Sequence, residues 1–258
     1  MATSTPRVYA APALEKGFEI LELLAEKKSP MALAQISLEL NRSKSELYRM
    51  LCVLEARGYL YREERSDHFN ISNKLFDLGM SVPPVGTVLE AAFPLLHKLA
   101  DMTHQSCHLS VVSAGRMVVI ARVESPSNIG LSVRVGSHAK LHERGSGKVL
   151  LAWMNELKRE ALYEAFTDDK SFDGDRLDQD LQKIVRKGFY HGKGGFIDGV
   201  EDLSCPIFMG SGSIAIAALT MPCLISGEEG VLSSLECLEL TQQMANRLST
   251  LSASYSGF

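Results

Sequence analysis

The stretch SKSELYRMLCVLEARGYLYREERSDHFNI, residues 43–71, decides the fold. Ser43-Lys44-Ser45-Glu46 fits a helix-capping box, in which a serine hydroxyl and a glutamate carboxylate three residues on each satisfy an exposed backbone N–H. The helix that starts there carries Leu47, Met50, Leu51 and Leu54 on an inward side, while Ser45, Tyr48, Arg49 and Cys52 recur at the same spacing on a polar, basic side. Gly58 supplies the stop. Tyr59-Leu60-Tyr61-Arg62 then alternates, a charged turn spans Glu63 to His68, and Phe69-Asn70-Ile71 alternates again, which is the pattern of a two-stranded hairpin.

Upstream, Leu14, Phe18, Leu21 and Leu24 follow three- and four-residue steps opposite Glu15, Glu19 and Glu22, an amphipathic first helix. After the breaker Lys28-Ser29-Pro30, the segment Ala32 to Leu40 repeats the pattern for a short second helix, and Asn41-Arg42 interrupts it. Three helices followed by a hairpin, the last two helices joined by a tight turn, describe a winged helix-turn-helix within about 70 residues. A short polar helix from Asn73 to Met80 runs into Val82-Pro83-Pro84, where the prolines disfavour helix and mark a linker. The first domain is therefore expected at residues 1–81.

On the outward side of the third helix, the Arg49 guanidinium has the reach for guanine or phosphate and the Tyr48 phenol for backbone oxygens. Arg42, Lys44 and Ser45 stand at the helix start, suited to positioning a phosphate, and Arg62 and Arg65 stand on the wing, where Glu63, Glu64 and Asp67 oppose close approach. Glu46 has two readings, a base contact or the capping box, and the capping box is preferred. The charge agrees with a nucleic-acid partner only locally. Residues 1–80 hold 11 Lys/Arg against 11 Asp/Glu and the remainder 16 against 20, but Arg42 to Arg65 carries six basic residues against four acidic ones.

Beyond the linker, Val88 to Met102 reads as a helix, with Pro94 beginning its main body or kinking it. Leu109 to Val112, Met117 to Val123 and Leu131 to Val135 are β-rich runs separated by turn residues, simplest as a meander. Gly147 to Trp153, Glu156 to Phe166 and Asp178 to Lys187 are expected as helices, Asp202 to Phe208 and Ser213 to Met221 as strands, and Glu229 to Leu251 as a closing helix. The expected fold class is α+β, with a linker helix at 82–103 and a second domain at 104–258.

The 258 residues are 45% hydrophobic and 22% charged, with net charge −4, an ordinary globular composition that excludes collagen-like, coiled-coil and disordered chains. No apolar stretch approaches the roughly 18 residues of a spanning helix, and the start MATSTPRVYAAPAL lacks a basic segment followed by an apolar one, so a soluble cytoplasmic protein is expected. The five cysteines are odd in number and widely spaced, which argues against a disulfide framework or a structural zinc. Gly145-Ser146-Gly147-Lys148 resembles the end of a phosphate loop, but His142 and Val149 stand where that motif needs Gly and Ser or Thr. The pairs His104/His108 and His138/His142 have a spacing that one helix face would bring together, but the first pair straddles a helix-to-strand change, and Ser146 lacks the strand-to-helix elbow of a nucleophile. No cofactor, no metal and no enzymatic activity are expected.

The runs ALEKGFEILELLAEKK, LAQISLELN, RSKSELYRMLCVLEARGYL and HFNISNKLFDLG resemble the DNA-binding half of the IclR family of bacterial transcription regulators. VGSHAKLHERGSGKVLLAWM, KGFYHGKGGFIDGVEDLSCPIF and GSIAIAALTMP resemble its second half, so the likeness covers nearly the whole chain. It implies a winged-helix reader of double-stranded operator DNA joined by a linker helix to a GAF-like effector domain, working as a homodimer or homotetramer. An arginine at the Arg49 position is usual in the family, whereas Glu46 departs from its more common threonine and puts the operator sequence in doubt.

The resemblance also implies an effector site, with Arg144, Gly145 and Ser146 at a helix-start loop, His142 beside it and Leu131 and Val133 on the preceding segment. Gly192, Asp202, Leu219 and Met221 are the facing positions. Relatives that bind small carboxylates tend to have an acid near 192, a cysteine near 202 and serines near 219 and 221. This chain departs from all of these, so fewer hydroxyls and, as effector, a small organic or aromatic acid with an apolar body are expected. The competing reading is a small-molecule-binding or enzymatic module whose helix-turn-helix contacts protein; salt-dependent affinity for duplex DNA separates the two.

Overall fold

The structure is a computed structural model that describes residues 10–81, 85–167, 169–193, 199–209, 212–224 and 232–254. The chain forms two compact units divided between Val82 and Pro83. In the first, α1 (Pro12–Lys27) has proline in its first turn and ends at Lys28, whose left-handed backbone lets its N–H donate to the Leu24 carbonyl. α2 (Leu33–Glu39) is followed by Asn41 with φ +50°, and the Ser37 hydroxyl donates to the Arg42 carbonyl to fix the turn into α3 (Lys44–Ala56). Gly58, φ +75°, turns the chain out of α3 into β1 (Leu60–Arg62), which pairs antiparallel with β2 (Phe69–Ile71). Ile20, Leu24, Ile36, Leu47, Leu51, Leu60 and Phe69 form the core of this unit, to which each helix and the hairpin contribute; in α1 the buried stripe is Ile20, Leu21, Leu23 and Leu24, while Leu14 and Phe18, expected to face inward, are exposed. α4 (Lys74–Ser81) follows, with no buried side chain among its described residues. The expected linker residues 82–84 lie outside the described residues.

The second unit opens with α5 (Val85–Thr103), which runs nine residues before Pro94 and continues through it. The helix buries Val88, Ala92, Leu95, Leu96 and Leu99 and packs against the closing helix of its own unit. After it come β3 (Cys107–Ser113), β4 (Arg116–Val123), β5 (His138–Lys140), α6 (Gly145–Ala152), α7 (Glu156–Phe166), α8 (Gly174–Lys187), β6 (Tyr190–Lys193), β7 (Val200–Phe208), β8 (Ala215–Leu224) and α9 (Ser234–Ser254). The strands make one antiparallel sheet in the order β5-β4-β3-β8-β7-β6, two meanders joined along β3 and β8.

Three local expectations are corrected. Leu131 to Val135 forms no strand: the chain turns at Gly136, φ +83°, and pairing with β4 begins there, the Gly136 N–H donating to the Val119 carbonyl and the Ser137 carbonyl accepting from the Val119 N–H. The β-branched residues before the turn fit a strand pattern but have no strand beside them to pair with. α8 starts at Gly174, four residues early, because the Asp173 carboxylate caps it by accepting from the Arg176 N–H at 3.0 Å. β6 was not expected at all, since Tyr-His-Gly-Lys lacks strand periodicity; pairing of Gly192 with Asp202 and Tyr190 with Ser204 along the sheet edge imposes it.

The sheet is covered on both faces. α5 and α9 pack on one, α6 with α8 behind it on the other. Cys107 Sγ donates to the Leu96 carbonyl of α5 and the free Cys223 thiol is hydrogen-bonded to that of Cys237 of α9, which assigns the odd-numbered positions of β3 and β8 to that face. Ala218 joins Val149, Leu150 and Leu181 in the opposite core.

Candidate functional site

In the first unit the capping box forms: Ser43 Oγ accepts from the Glu46 N–H, and the Glu46 carboxylate accepts from the Ser43 N–H and hydroxyl. Lys16 donates to the same carboxylate at 2.9 Å. The Lys16 and Ser43 hydrogen bonds pull the Glu46 pKa down to about 2, so the group is engaged as a cap and ion pair. With Leu47 and Leu51 anchored in the core, α3 presents Lys44, Ser45, Tyr48 and Arg49 outward, all exposed.

Two expected DNA contacts are held elsewhere. Arg42 makes a two-pronged ion pair with Glu19 of α1, Nε and Nη2 each donating at 2.7 Å, and so ties the turn to the first helix. Arg62 lies between Glu55 and Asp67, 3.4 Å from each, with its guanidinium 4.6 Å from the Phe69 ring centre. Arg65 is exposed in the turn between the wing strands.

In the second unit, Gly145, Ser146 and Gly147 form the buried first turn of α6, with Arg144 at the N-cap. Strand register decides what faces them. Gly192, Asp202 and Pro222 stand side by side across β6, β7 and β8; the next row holds Tyr190, Ser204, Thr220 and His108. Both rows share the α6 face with Ala218. Leu219 and Met221 belong to the alternate rows, with Cys205 and Leu203, on the α5/α9 face. The expectation that they line the site beside Asp202 is corrected: a strand alternates with period two, and Thr220 and Pro222 take those places.

That shift also corrects the expected shortage of hydroxyls. The α6 face carries Ser110, Ser204 and Thr220, all buried, with Ser204 and Thr220 hydrogen-bonded to each other. Burial holds the His108 pKa down to about 4, so its ring is neutral at pH 7. Burial pushes the Asp202 carboxyl up to about 6 against the opposing pull of the Arg144 charge, which brings Arg144 and Asp202 into one electrostatic neighbourhood.

Val133 packs on the core beneath α6, and Leu131 is half-buried. His142 is seated differently. Its ring meets the edges of Phe166 and Phe172 at 4.8 and 5.3 Å between centres, and its Nε2 is 3.2 Å from Asp169. Ligand atoms of His142, Glu143 and Asp169 come within 4.8 Å of one another, but Lys140 Nζ holds the same Asp169 oxygen at 2.5 Å and Ser171 the other, an ion-paired knot. Beside it opens a groove of about 190 Å³ lined by His142, Lys148, Phe172, Arg176 and Asp180.

Sequence reasoning missed Tyr190. A methyl group on Gly145 would lie 2.5 Å from Tyr190 Cδ1, and one on Gly192 2.6 Å from its hydroxyl oxygen, so the phenol ring fills the space between the α6 turn and β6. Burial raises its pKa, with the Asp202 and Asp180 charges acting in the same direction. The sole signal in the sequence is Gly192 two positions along, which does not reveal what faces it.

Comparison with known proteins agrees with both halves. The IclR helix-turn-helix domain description matches residues 13–64, and that of the bacterial transcriptional regulator IclR C-terminal region matches residues 85–250. The chain is 26% identical over 211 residues to the HTH-type transcriptional regulator KdgR of Dickeya chrysanthemi, covering 80% of this chain and 68% of that protein. It is 26% identical over 212 residues to the HTH-type transcriptional repressor AllR of Escherichia coli K12, covering 80% and 78%. Among solved structures, an IclR homolog from Microbacterium hydrocarbonoxydans complexed with 4-hydroxybenzoate superposes with TM-score 0.76 at 18% identity, covering 94% of this chain and 99% of that one. Pseudomonas aeruginosa HmgR gives 0.73 at 23%, covering 93% and 98%. A capped helix with a basic outer side, a wing, a glycine-rich helix start over an antiparallel sheet and both family matches lead to one conclusion: the chain belongs to the IclR family and is a ligand-responsive, DNA-binding transcription regulator.

Proposed function

We propose that α3 enters the major groove of operator DNA and contacts it through Lys44, Ser45, Tyr48 and Arg49, with Arg65 on the wing, while the α6 start and the sheet face beneath it bind a small organic acid. The observation that carries the DNA reading is an α3 capped and anchored on one side, with an exposed basic side opposite. Arg42 and Arg62 contribute by fixing the turn and the wing through Glu19, Glu55 and Asp67. A homodimer or homotetramer supplies two such helices to a pseudo-palindromic site, since one helix in one groove touches few bases. The effector shifts the population between assemblies that fit the operator spacing and those that do not. No helix among the described residues is long and apolar enough to cross a membrane, which supports a cytoplasmic regulator. The mechanism assigns no catalytic group.

Fluorescence anisotropy of the full-length protein on DNA from upstream of its own gene, repeated across salt, tests this reading. The wild type is expected to bind tightly with a steep salt slope, and Arg49→Ala to weaken binding by about 1–3 kcal/mol and flatten the slope by about one unit. Affinity equal to that for random duplex and unchanged by Arg49→Ala would instead favour the helix-turn-helix as a protein-contact module.

A further inference from the structure

Gly145 and Gly192 are both oddly placed for glycine. Gly145 opens a helix and Gly192 sits within a strand, where glycine has no side chain to pack, and neither has the left-handed backbone that would require it. What they share is one neighbour. The Tyr190 ring lies against the Gly145 Cα and its hydroxyl end leans along β6 over Gly192, so that any side chain at either position would collide with it. Lys148 Nζ, 5.9 Å from the ring centre, approaches the ring as well. The two glycines are the mould of a phenol ring, and the ring stands in the row of Ser204 and Thr220, beside that of Asp202.

We infer that Tyr190 is a specificity-determining residue: its ring occupies the volume that an aromatic effector would need, so the site takes ring-free carboxylic acids and excludes aromatic ones. This rests on the proposed effector site. It narrows the expectation of a small organic or aromatic acid to the ring-free class. An aromatic guest would have to expel Tyr190 and leave its ring without the close contacts of two glycines. On the same face, Ser204 and Thr220 already bond each other, whereas the buried Ser110 hydroxyl has no hydrogen-bond partner among the described residues and, with the Arg144 charge, is a polar group suited to a ring-free acid.

Isothermal titration calorimetry on the full-length protein tests the inference with two probes: p-cresol, which is the severed Tyr190 side chain, and 4-hydroxybenzoate. Wild type and Tyr190→Phe are expected to bind neither. Tyr190→Ala is expected to bind both, as apolar cavities left by ring or branched side chains accept aromatic guests. Wild type taking up 4-hydroxybenzoate as tightly as Tyr190→Ala would overturn the inference, as would a cooperatively melting Tyr190→Ala that takes up neither probe. Should the alanine variant fail to melt cooperatively, Tyr190→Val, which retains strand preference, replaces it.

A thermal-melt cycle gives a ligand-free check: Gly145→Ala is expected to lower Tm in the wild type and to be tolerated in the Tyr190→Ala or Tyr190→Val background, and equal effects in both would overturn the ring's place. Calorimetry uses no DNA, so loss of operator binding in the wild type would sink the regulator reading and leave the ring result standing.

Discussion

Asp202 is a carboxylic acid whose charge the fold opposes. Burial between β6 and the α6 start raises its pKa to about 6 from an ordinary 3.8, and Arg144 offsets only part of that. A raised acid favours the neutral form when folded. Its contribution is therefore full below the unfolded value near 4 and is lost as pH rises through 6, leaving a charged Asp202 as a cost at pH 7. Discounted for a side chain that is only partly enclosed, the cost is about 1–2 kcal/mol. Asp202→Asn is expected to melt above the wild type at pH 7–8, with the gap closing near pH 4; a variant that melts below the wild type at neutral pH would reject this account. His108 acts with the opposite sign, held down to about 4, so its contribution is full above about 6.5 and lost as pH falls toward 4. It is present in both proteins and cancels in the difference.

At the scale of an element, α3 shows how local signals and tertiary packing divide the work. The capping box was legible because it spans four consecutive residues and involves only backbone groups of the same turn. Ser43→Ala is expected to cost about 1 kcal/mol by leaving an N–H of the first turn without its acceptor. Leu47→Ala, at a position with no exposed surface, is expected to cost about 2–5 kcal/mol. Urea denaturation of both variants checks the order, and a serine effect as large as the leucine one would contradict it. β6 is the contrary case. Tyr-His-Gly-Lys has no periodicity of its own, and its strand exists because β7 offers an open edge.

For the whole molecule, two cores built from residues on either side of Val82/Pro83 predict two folding units. Ile20, Leu47 and Phe69 close the first, whereas α5 buries its apolar side against α9 within the second. A fragment of residues 83–258 is expected to melt cooperatively and to lose DNA binding. A non-cooperative melt would show that the second unit depends on the first.

The sequence by itself determined the winged helix-turn-helix, its outward Lys44, Ser45, Tyr48 and Arg49, the antiparallel second half and the glycine-rich helix start. Each of these is written in spacings shorter than about 20 residues, where helix period, strand period and capping act directly on the backbone. Only the tertiary structure decided that Arg42 and Arg62 are held by carboxylates, that Thr220 and Pro222 rather than Leu219 and Met221 share a face with Asp202, and that Tyr190 lies between Gly145 and Gly192. Residues 145 and 190 are brought together by sheet register and by the docking of α6 on that sheet, and a one-residue change in register would have exchanged every facing side chain for its neighbour.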